Sequence, residues 1–251
     1  ADTHGLQLSQ RAELEFKQTF KDTSGFEIEF GQSSSGNDDL LTRGSTLAPF
    51  VKFGQGRGFE FTYYGRQNER WSYWMHLERE RDSYQSFTIS ENAIALGGNY
   101  YPSDDLKFGI QIAKANSKNW LNWLGDNRIG VYPLDYFSIR ANATWFPKEK
   151  HELRIKFQTT VMEAETGVEW LADSVGHLNP TNTSATGFDL GQLAFQIRYK
   201  YEISPLSHFY AVYTRGGRHY EDDDVSVSKI IRGTWDNPEE DRFTLKLRVK
   251  F

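Results

Sequence analysis

The chain has no cysteine among its 251 residues. That excludes a disulfide framework, a thiolate-ligated zinc site and a thiol nucleophile. It also lacks any run of 18 or more apolar residues, which excludes a transmembrane helix. A basic excess is missing: 29 Lys and Arg stand against 34 Asp and Glu, a net charge of -5. A nucleic-acid binder would carry the opposite footprint. The opening Ala1-Asp2-Thr3-His4 has no basic region followed by an apolar core, so any export signal is expected to be gone already. Hydrophobic residues reach only 38%, too few for a thick soluble core, yet aromatics reach 15%. That combination suits a protein whose oily surface is a single band. The length admits two small domains or one large β-domain, and the reading adopted is a single domain over 1–251.

Alternation with a period of two fills most of the chain. In Arg242-Phe243-Thr244-Leu245-Lys246-Leu247-Arg248-Val249-Lys250-Phe251 every odd position is apolar and every even one polar, mostly cationic. Successive strand side chains face opposite ways, so this segment has one greasy and one charged face. Leu153, Ile155, Phe157 and Val161 alternate in the same way with Arg154, Lys156 and Gln158, and Leu193, Phe195, Ile197 and Tyr199 with Gln196, Arg198 and Lys200. Phe137, Ile139 and Trp145 oppose Ser138, Arg140 and Asn142. Early in the chain Leu14 and Phe16 oppose Glu13, Glu15 and Lys17, Phe59 and Phe61 oppose Glu60, and Trp71, Tyr73, Met75 and Leu77 oppose His76 and Glu78. The pattern predicts about twelve strands, near 5–19, 25–32, 45–53, 58–66, 70–81, 92–101, 105–116, 131–146, 151–166, 188–203, 206–217 and 241–251. No helix competes, although Trp120 to Leu124 has room for one turn inside a loop.

The connections alternate between two kinds. Pro102-Ser103-Asp104-Asp105, Pro147-Lys148-Glu149-Lys150 and Ser204-Pro205 are compact turns, whereas about 117–130, 167–187 and 218–240 read as long polar loops. Short turns at one end and long loops at the other are the habit of bacterial outer-membrane barrels. Aromatics agree: Tyr100 and Tyr101, Trp145 and Phe146, Tyr199 and Tyr201, Trp71 and Tyr73, and Phe251 all fall at the short-turn end, as an interfacial belt requires. The fold class expected is therefore all-β: a closed antiparallel transmembrane β-barrel of about twelve strands with short periplasmic turns, long extracellular loops and both termini periplasmic. The competing architecture is a soluble β-sandwich or lipocalin-like barrel, which would carry fewer or shorter strands. A strand ending in Phe251 also resembles the C-terminal insertion signal of Gram-negative outer-membrane proteins.

Three segments carry a narrower likeness: Asn37 to Gly44, Phe195 to Ser207, and Tyr210 to Gly217. They resemble the C-terminal region of an uncharacterised bacterial surface-protein family, in which a carbohydrate-binding module similar to family 9 precedes a presumed outer-membrane barrel. This chain lacks that module, and the family brings no catalytic residues with it.

The lumen expected from the alternation is unevenly charged. Arg154, Lys156, Arg198, Lys200, Arg242, Lys246 and Arg248 form a basic wall late in the chain, and Glu13, Glu15, Glu60 and Glu78, with Glu27 and Glu29, an acidic wall early in it. Closure would set Arg242 to Lys250 against Arg11 to Lys17. Two tasks fit, a small or gated pore for polar or acidic solutes, and a filled barrel that anchors a surface or periplasmic partner. The partners implied are outer-membrane lipid and lipopolysaccharide with a polar solute or a protein, and neither cofactor nor metal is required. An outer-membrane hydrolase is the third reading. His219 near Glu221 and Asp222-Asp223-Asp224 is its only candidate, and a solvated acidic loop explains that cluster equally well. Ser207 and His208, as strand neighbours, point apart and make no dyad. Gly54, Gly56 and Gly58 around Arg57 read as a flexible hairpin turn. Trp120, Trp123, Trp170 and Trp235 lie in or beside the long loops, where they either pack the loops together or present a binding surface.

Overall fold

The computed structural model describes residues 9–43, 45–65, 67–68, 70–84, 86–221 and 225–250. Residues 5–8 of the first expected strand, Gly44, the acidic triplet Asp222-Asp223-Asp224 and Phe251 lie outside them. Among the described residues fifteen strands and one helix follow one another. The early ones are β1 (Arg11–Thr19), β2 (Gly25–Ser33), β3 (Gly36–Asp38), β4 (Val51–Phe53), β5 (Gly56–Tyr64), β6 (Trp71–Ser83) and β7 (Thr88–Ser103). Then come β8 (Leu106–Gly125), β9 (Arg128–Lys148), β10 (His151–Ala164), β11 (Gly167–Ala172), β12 (Leu178–Ala185), β13 (Phe188–Ser204) and β14 (Ser207–Glu221). Helix α1 (Val227–Asp236) precedes the last strand, β15 (Glu240–Arg248).

Eleven of the strands form one antiparallel path, β1-β2-β5-β6-β7-β8-β9-β10-β13-β14-β15. The chain thus makes an up-and-down meander, in which each strand pairs with its neighbour in sequence apart from short excursions. The count corrects the sequence reading. Segment 45–53 contributes only the three residues of β4, which pairs with β3 in a separate two-stranded ribbon. Among the described residues β1 and β15 do not pair, so the expected seam between them is absent. Both edge strands are exposed throughout, with Leu14 at 70% and Phe243 at 64%.

The three compact turns are where the sequence places them, at Asp104-Asp105, Glu149-Lys150 and Pro205-Leu206. The long loops are not irregular. Strands β8 and β9, 20 and 21 residues long, continue as one hairpin to a tight turn at Asp126-Asn127, so Trp120 to Leu124 is strand and not helix. A membrane crossing takes about 9–11 strand residues, so roughly half of this hairpin stands clear of any bilayer. Strands β11 and β12 prolong β10 and β13 beside it, with β11 pairing to β9 from Val168↔Val131 to Leu171↔Arg128. Ile129, Ala172 and Leu178 pack there against Ala48 and the β4 residue Val51, both in the stretch between β2 and β5, with Trp123 and Trp170 alongside. The loop tryptophans are therefore packing residues. Arg43 adds its guanidinium over the Trp123 ring at 4.8 Å.

Of the glycines around Arg57, Gly56 and Gly58 are strand residues of β5, and Gly54 alone lies in the link that precedes it. Gly56 opens β5, and a Cβ there would collide with the Asp82 carboxylate and the Ser33 hydroxyl. Parity changes as well. β1 runs from Arg11↔Ser33 at the long-loop end to Thr19↔Gly25 at the short-turn end. β1 and β15 therefore run in the same direction, both toward the short turns; the expectation that both termini are periplasmic falls on Ala1 and Phe251, outside the described residues.

Candidate functional site: a charged concave wall

Direct cross-strand partners share a face, so the register assigns every side chain. One face carries Leu14, Phe30, Phe59, Leu77, Ile94, Leu96, Ile110, Ile112, Ile139, Ile155, Phe157, Ile197 and Leu245, all placed on the same side of the sheet by the register. Many are exposed, since no second layer covers most of this face. Trp71 stacks on Tyr100 with ring centroids 4.3 Å apart, and the register continues from Tyr100 to Phe108 and from Leu106 through Trp145 and Leu153 to Tyr199. The aromatic belt at the short-turn end is therefore continuous over β6 to β13.

The other face is polar and concave. Arg11 on β1 lies 3.4 Å from Glu80 on β6, three strands away. Strands about 4.8 Å apart put those backbones about 14 Å apart. Side chains bridge that gap only when the sheet curls toward them. Arg11 also lies 2.6 Å from Glu13, 3.7 Å from Glu29 and 3.9 Å from Glu60.

All the residues expected in the lumen share this concave face. Glu15, Glu29, Glu60 and Glu78 stand in one straight row over β1, β2, β5 and β6. Like charges directly opposite one another are destabilising, and Arg11, reaching down from two register steps above to Glu29 and Glu60, is what relieves this row. Carboxylate oxygens of Glu60, Glu78 and Glu80 lie within 4.8 Å of one another. With the Arg11 guanidinium already among them, the cluster reads as an internal ion network and not as a cation site.

The basic wall follows on β10 to β15. Arg154 faces Arg198 directly, Lys156 faces Gln196, Arg242 faces Thr214, Lys246 faces Tyr210 and Arg248 faces His208. Arg242 pairs with Glu240 at 2.9 Å. The residue that organises this wall, Glu152, is one the sequence reading passed over. It is 8% exposed, faces Lys200, contacts Arg154, and its carboxylate lies 3.2 Å from Arg198 and 3.9 Å from Lys200. Three cations around one buried carboxylate leave a net positive patch. Beside it opens a cleft of about 730 Å³, lined by Arg140, Arg154, Lys156, Gln158, Gln196 and Thr214 among others. Arg140 belongs to it by register, since it faces Gln158. The signal was present in the alternation of β9.

His219 is elsewhere. It is opposite Gly191 on the apolar face, is hydrogen-bonded to Glu221 at 2.9 Å, and packs beneath Gly233 of α1. Helix α1 covers this part of the apolar face. Ile230 and Thr234, one turn apart, are buried over Gly191, Trp235 meets Phe195 at 5.6 Å, and Arg215 donates to the Trp235 carbonyl. The sequence reading saw no helix here.

At the tip of the β11–β12 hairpin, Asp173 accepts backbone N–H bonds from Val175 and His177 at 3.0 and 2.8 Å. These bonds favour the ionised form and hold its carboxyl below the usual range.

No protein-family model matches the chain, and no curated protein matches it. Among solved structures the chain is similar to the ferric citrate transporter FecA in its unliganded form, with a TM-score of 0.56 and 13% identity. That match covers 85% of this chain and 36% of the transporter, so the chain spans about a third of that protein's length. Weaker matches are OmpT of Vibrio cholerae, an outer-membrane protein with loop L8 deleted (TM-score 0.37, 12% identity, 86% of this chain and 98% of that one), and the NanC porin (TM-score 0.30, 12% identity, 84% and 86%). At such identities the likeness is one of fold: an antiparallel all-β sheet of the kind that walls outer-membrane barrels.

Proposed function

We propose that this sheet is the wall of a closed β-barrel in a Gram-negative outer membrane, and that its concave face lines a small or gated pore for polar or acidic solutes. In a bilayer an open ladder leaves backbone groups unpaired, each at a cost of several kcal/mol, so the edges at β1 and β15 must be paired once the sheet is inserted. The observation that carries the reading is the separation of faces: exposed apolar side chains on one side, and on the other a concave wall divided into an acidic half and a basic half. In a closed wall these halves confront each other and set a transverse field across the lumen, which orients a charged solute. The 730 Å³ cleft beside Arg140 and Lys156 is the natural resting place for an anionic group. Neither cation has an ion partner among the described residues, unlike Arg154 and Arg198.

The test is conductance of the detergent-purified chain in planar bilayers. Discrete channels with a preference for anions over cations are expected. Arg140→Glu with Lys156→Glu should shift the reversal potential in a salt gradient toward cations. A chain that inserts yet never conducts would remove the pore and leave a filled barrel that anchors a partner.

A further inference from the structure

We infer that the outer surface of β5 and β6 holds a binding site for a phosphorylated glycolipid of the outer leaflet. This rests on the membrane orientation proposed above and names a ligand for the opposite face of the wall. Arg57 faces Arg81 directly across β5 and β6, and Arg79 faces Phe59 one register step below. All three are exposed and share the face of Phe59 and Leu77. They therefore point toward lipid, at the end of the sheet remote from the Trp71–Tyr100 belt.

Among the described residues nothing on that face neutralises them. The outward positions of β5, β6, β7 and β8 hold no Asp or Glu; every carboxylate of these strands, from Glu60 to Glu91, points into the concavity. Opposed like charges on neighbouring strands are destabilising, with Cβ atoms about 5 Å apart, so Arg57 and Arg81 call for an anion from outside. Lys114 extends the cationic patch two strands away and is itself 3.9 Å from Asp135.

What makes the anion a lipid is the surface below it. Leu77 and Ile94 follow one register step down, then Leu96 and Ile112, where an apolar groove of about 560 Å³ begins. From Arg79 to the Leu96 level is two register steps, about 13 Å along the strand. A phosphate clasped by the arginines would thus lay its acyl chains along this groove. A soluble phosphate would have no use for the groove.

The test titrates the detergent-solubilised full chain with bisphosphorylated lipid A, read by native mass spectrometry. Arg57→Gln, Arg79→Gln and Arg81→Gln together should weaken binding about 100-fold, since each cation near an anionic surface contributes on the order of a tenfold factor or slightly less. Dephosphorylated lipid A should bind the wild type as weakly as the bisphosphorylated form binds the triple variant. Arg140→Gln with Lys156→Gln, on the concave face, should bind like wild type, and unchanged strand dichroism in the triple variant would exclude misfolding. Equal binding of the two lipid A forms by the wild type, or displacement of lipid A by inorganic phosphate alone, would overturn the site. Failure of the wild type to insert into phosphatidylcholine vesicles would overturn the membrane reading and the site together, whereas insertion without phosphate preference would remove the site only.

Discussion

Replacing Glu152 by Gln keeps the shape of the side chain and removes its charge, which isolates what the carboxylate does for the basic wall. Glu152 is 8% exposed, and the Arg198 and Lys200 nitrogens lie 3.2 and 3.9 Å from its oxygens, with Arg154 closer still. A hydrogen bond to a charged partner contributes about 1.5–3 kcal/mol. The cations are 44%, 33% and 29% exposed, so water screens part of each interaction. After that discount the net loss is about 2 kcal/mol. For a chain of this length it should lower the melting temperature by about 4–8 °C, measured by far-ultraviolet dichroism in detergent. The variant also leaves Arg154 directly opposite Arg198 with no anion between them. Raising the ionic strength to about 1 M, where the screening length is about 3 Å, should therefore recover part of the loss. A variant that melts within a degree of wild type, or whose deficit ignores salt, would refute the claim that Glu152 organises this wall.

The acidic wall should respond with the opposite sign: Glu60→Gln removes one charge from the Glu15-Glu29-Glu60-Glu78 row, and is expected to leave the melting temperature unchanged or raise it. Gly191→Leu should push α1 off the sheet, because any Cβ there collides with Thr234 and Ile230; the Trp235 emission should shift to the red and residues 225–237 should become cleavable by protease, with strand dichroism retained. The folded-state carboxyl of Asp173 lies below its ordinary value, so its contribution is complete above about pH 4 and lost as the pH falls through the depressed value. Amide exchange at Val175 and His177 should therefore accelerate in acid, after correction for intrinsic rates, and in Asp173→Ala that extra acid step should be absent. The chain has no cysteine, so single replacements report sidedness cleanly: Gln10→Cys and Asp126→Cys should react with an impermeant thiol reagent on intact cells, and Asp22→Cys and Asp104→Cys only after the outer membrane is permeabilised.

Much of this wall was legible because one apolar face and one polar face impose a strict period of two. Residues 151–161 and 242–248 could be assigned to faces from sequence alone, and each expected lumen residue is where that alternation puts it. The pattern fades where the environment stops being two-sided. Above the apolar band the β8–β9 hairpin is covered by loop residues, so Trp120, Leu121, Trp123 and Leu124 are all partly buried and the alternation vanishes. A bulge between Ser117 and Trp120 shifts the register besides. Helix α1 escaped for a related reason. Its apolar residues Val227, Ile230 and Ile231 keep helical spacing with the buried Thr234, but ten residues between two strands offer little against a strong background of alternation. Glu152 escaped because it stands next to a turn, where a carboxylate reads as solvated. Only the pairing of His151 to Ala164 with Phe188 to Tyr201 adds Arg198 and Lys200 to Arg154 of its own strand.

The parity of the meander has the widest consequence. Counting 45–53 as a full strand makes the number even and sends both ends of the sheet to the short-turn side. The register instead makes it eleven, with β1 and β15 running in the same direction, both toward the short turns. If β1 and β15 met directly, the seam would be a parallel ladder in an otherwise antiparallel wall. A second copy related by an axis along the barrel offers no escape, because it too would set β15 beside a β1 of the same direction. An antiparallel seam needs an odd number of strands between the Arg11 edge and the Glu240 edge. Either geometry pairs every backbone group, as lipid demands, but they place Arg242 and Lys246 differently. In the parallel case the cationic edge of β15 adjoins the acidic edge of β1, and the two partly neutralise each other across the seam. In the antiparallel case they stay on the basic wall, and the field across the lumen keeps its full strength.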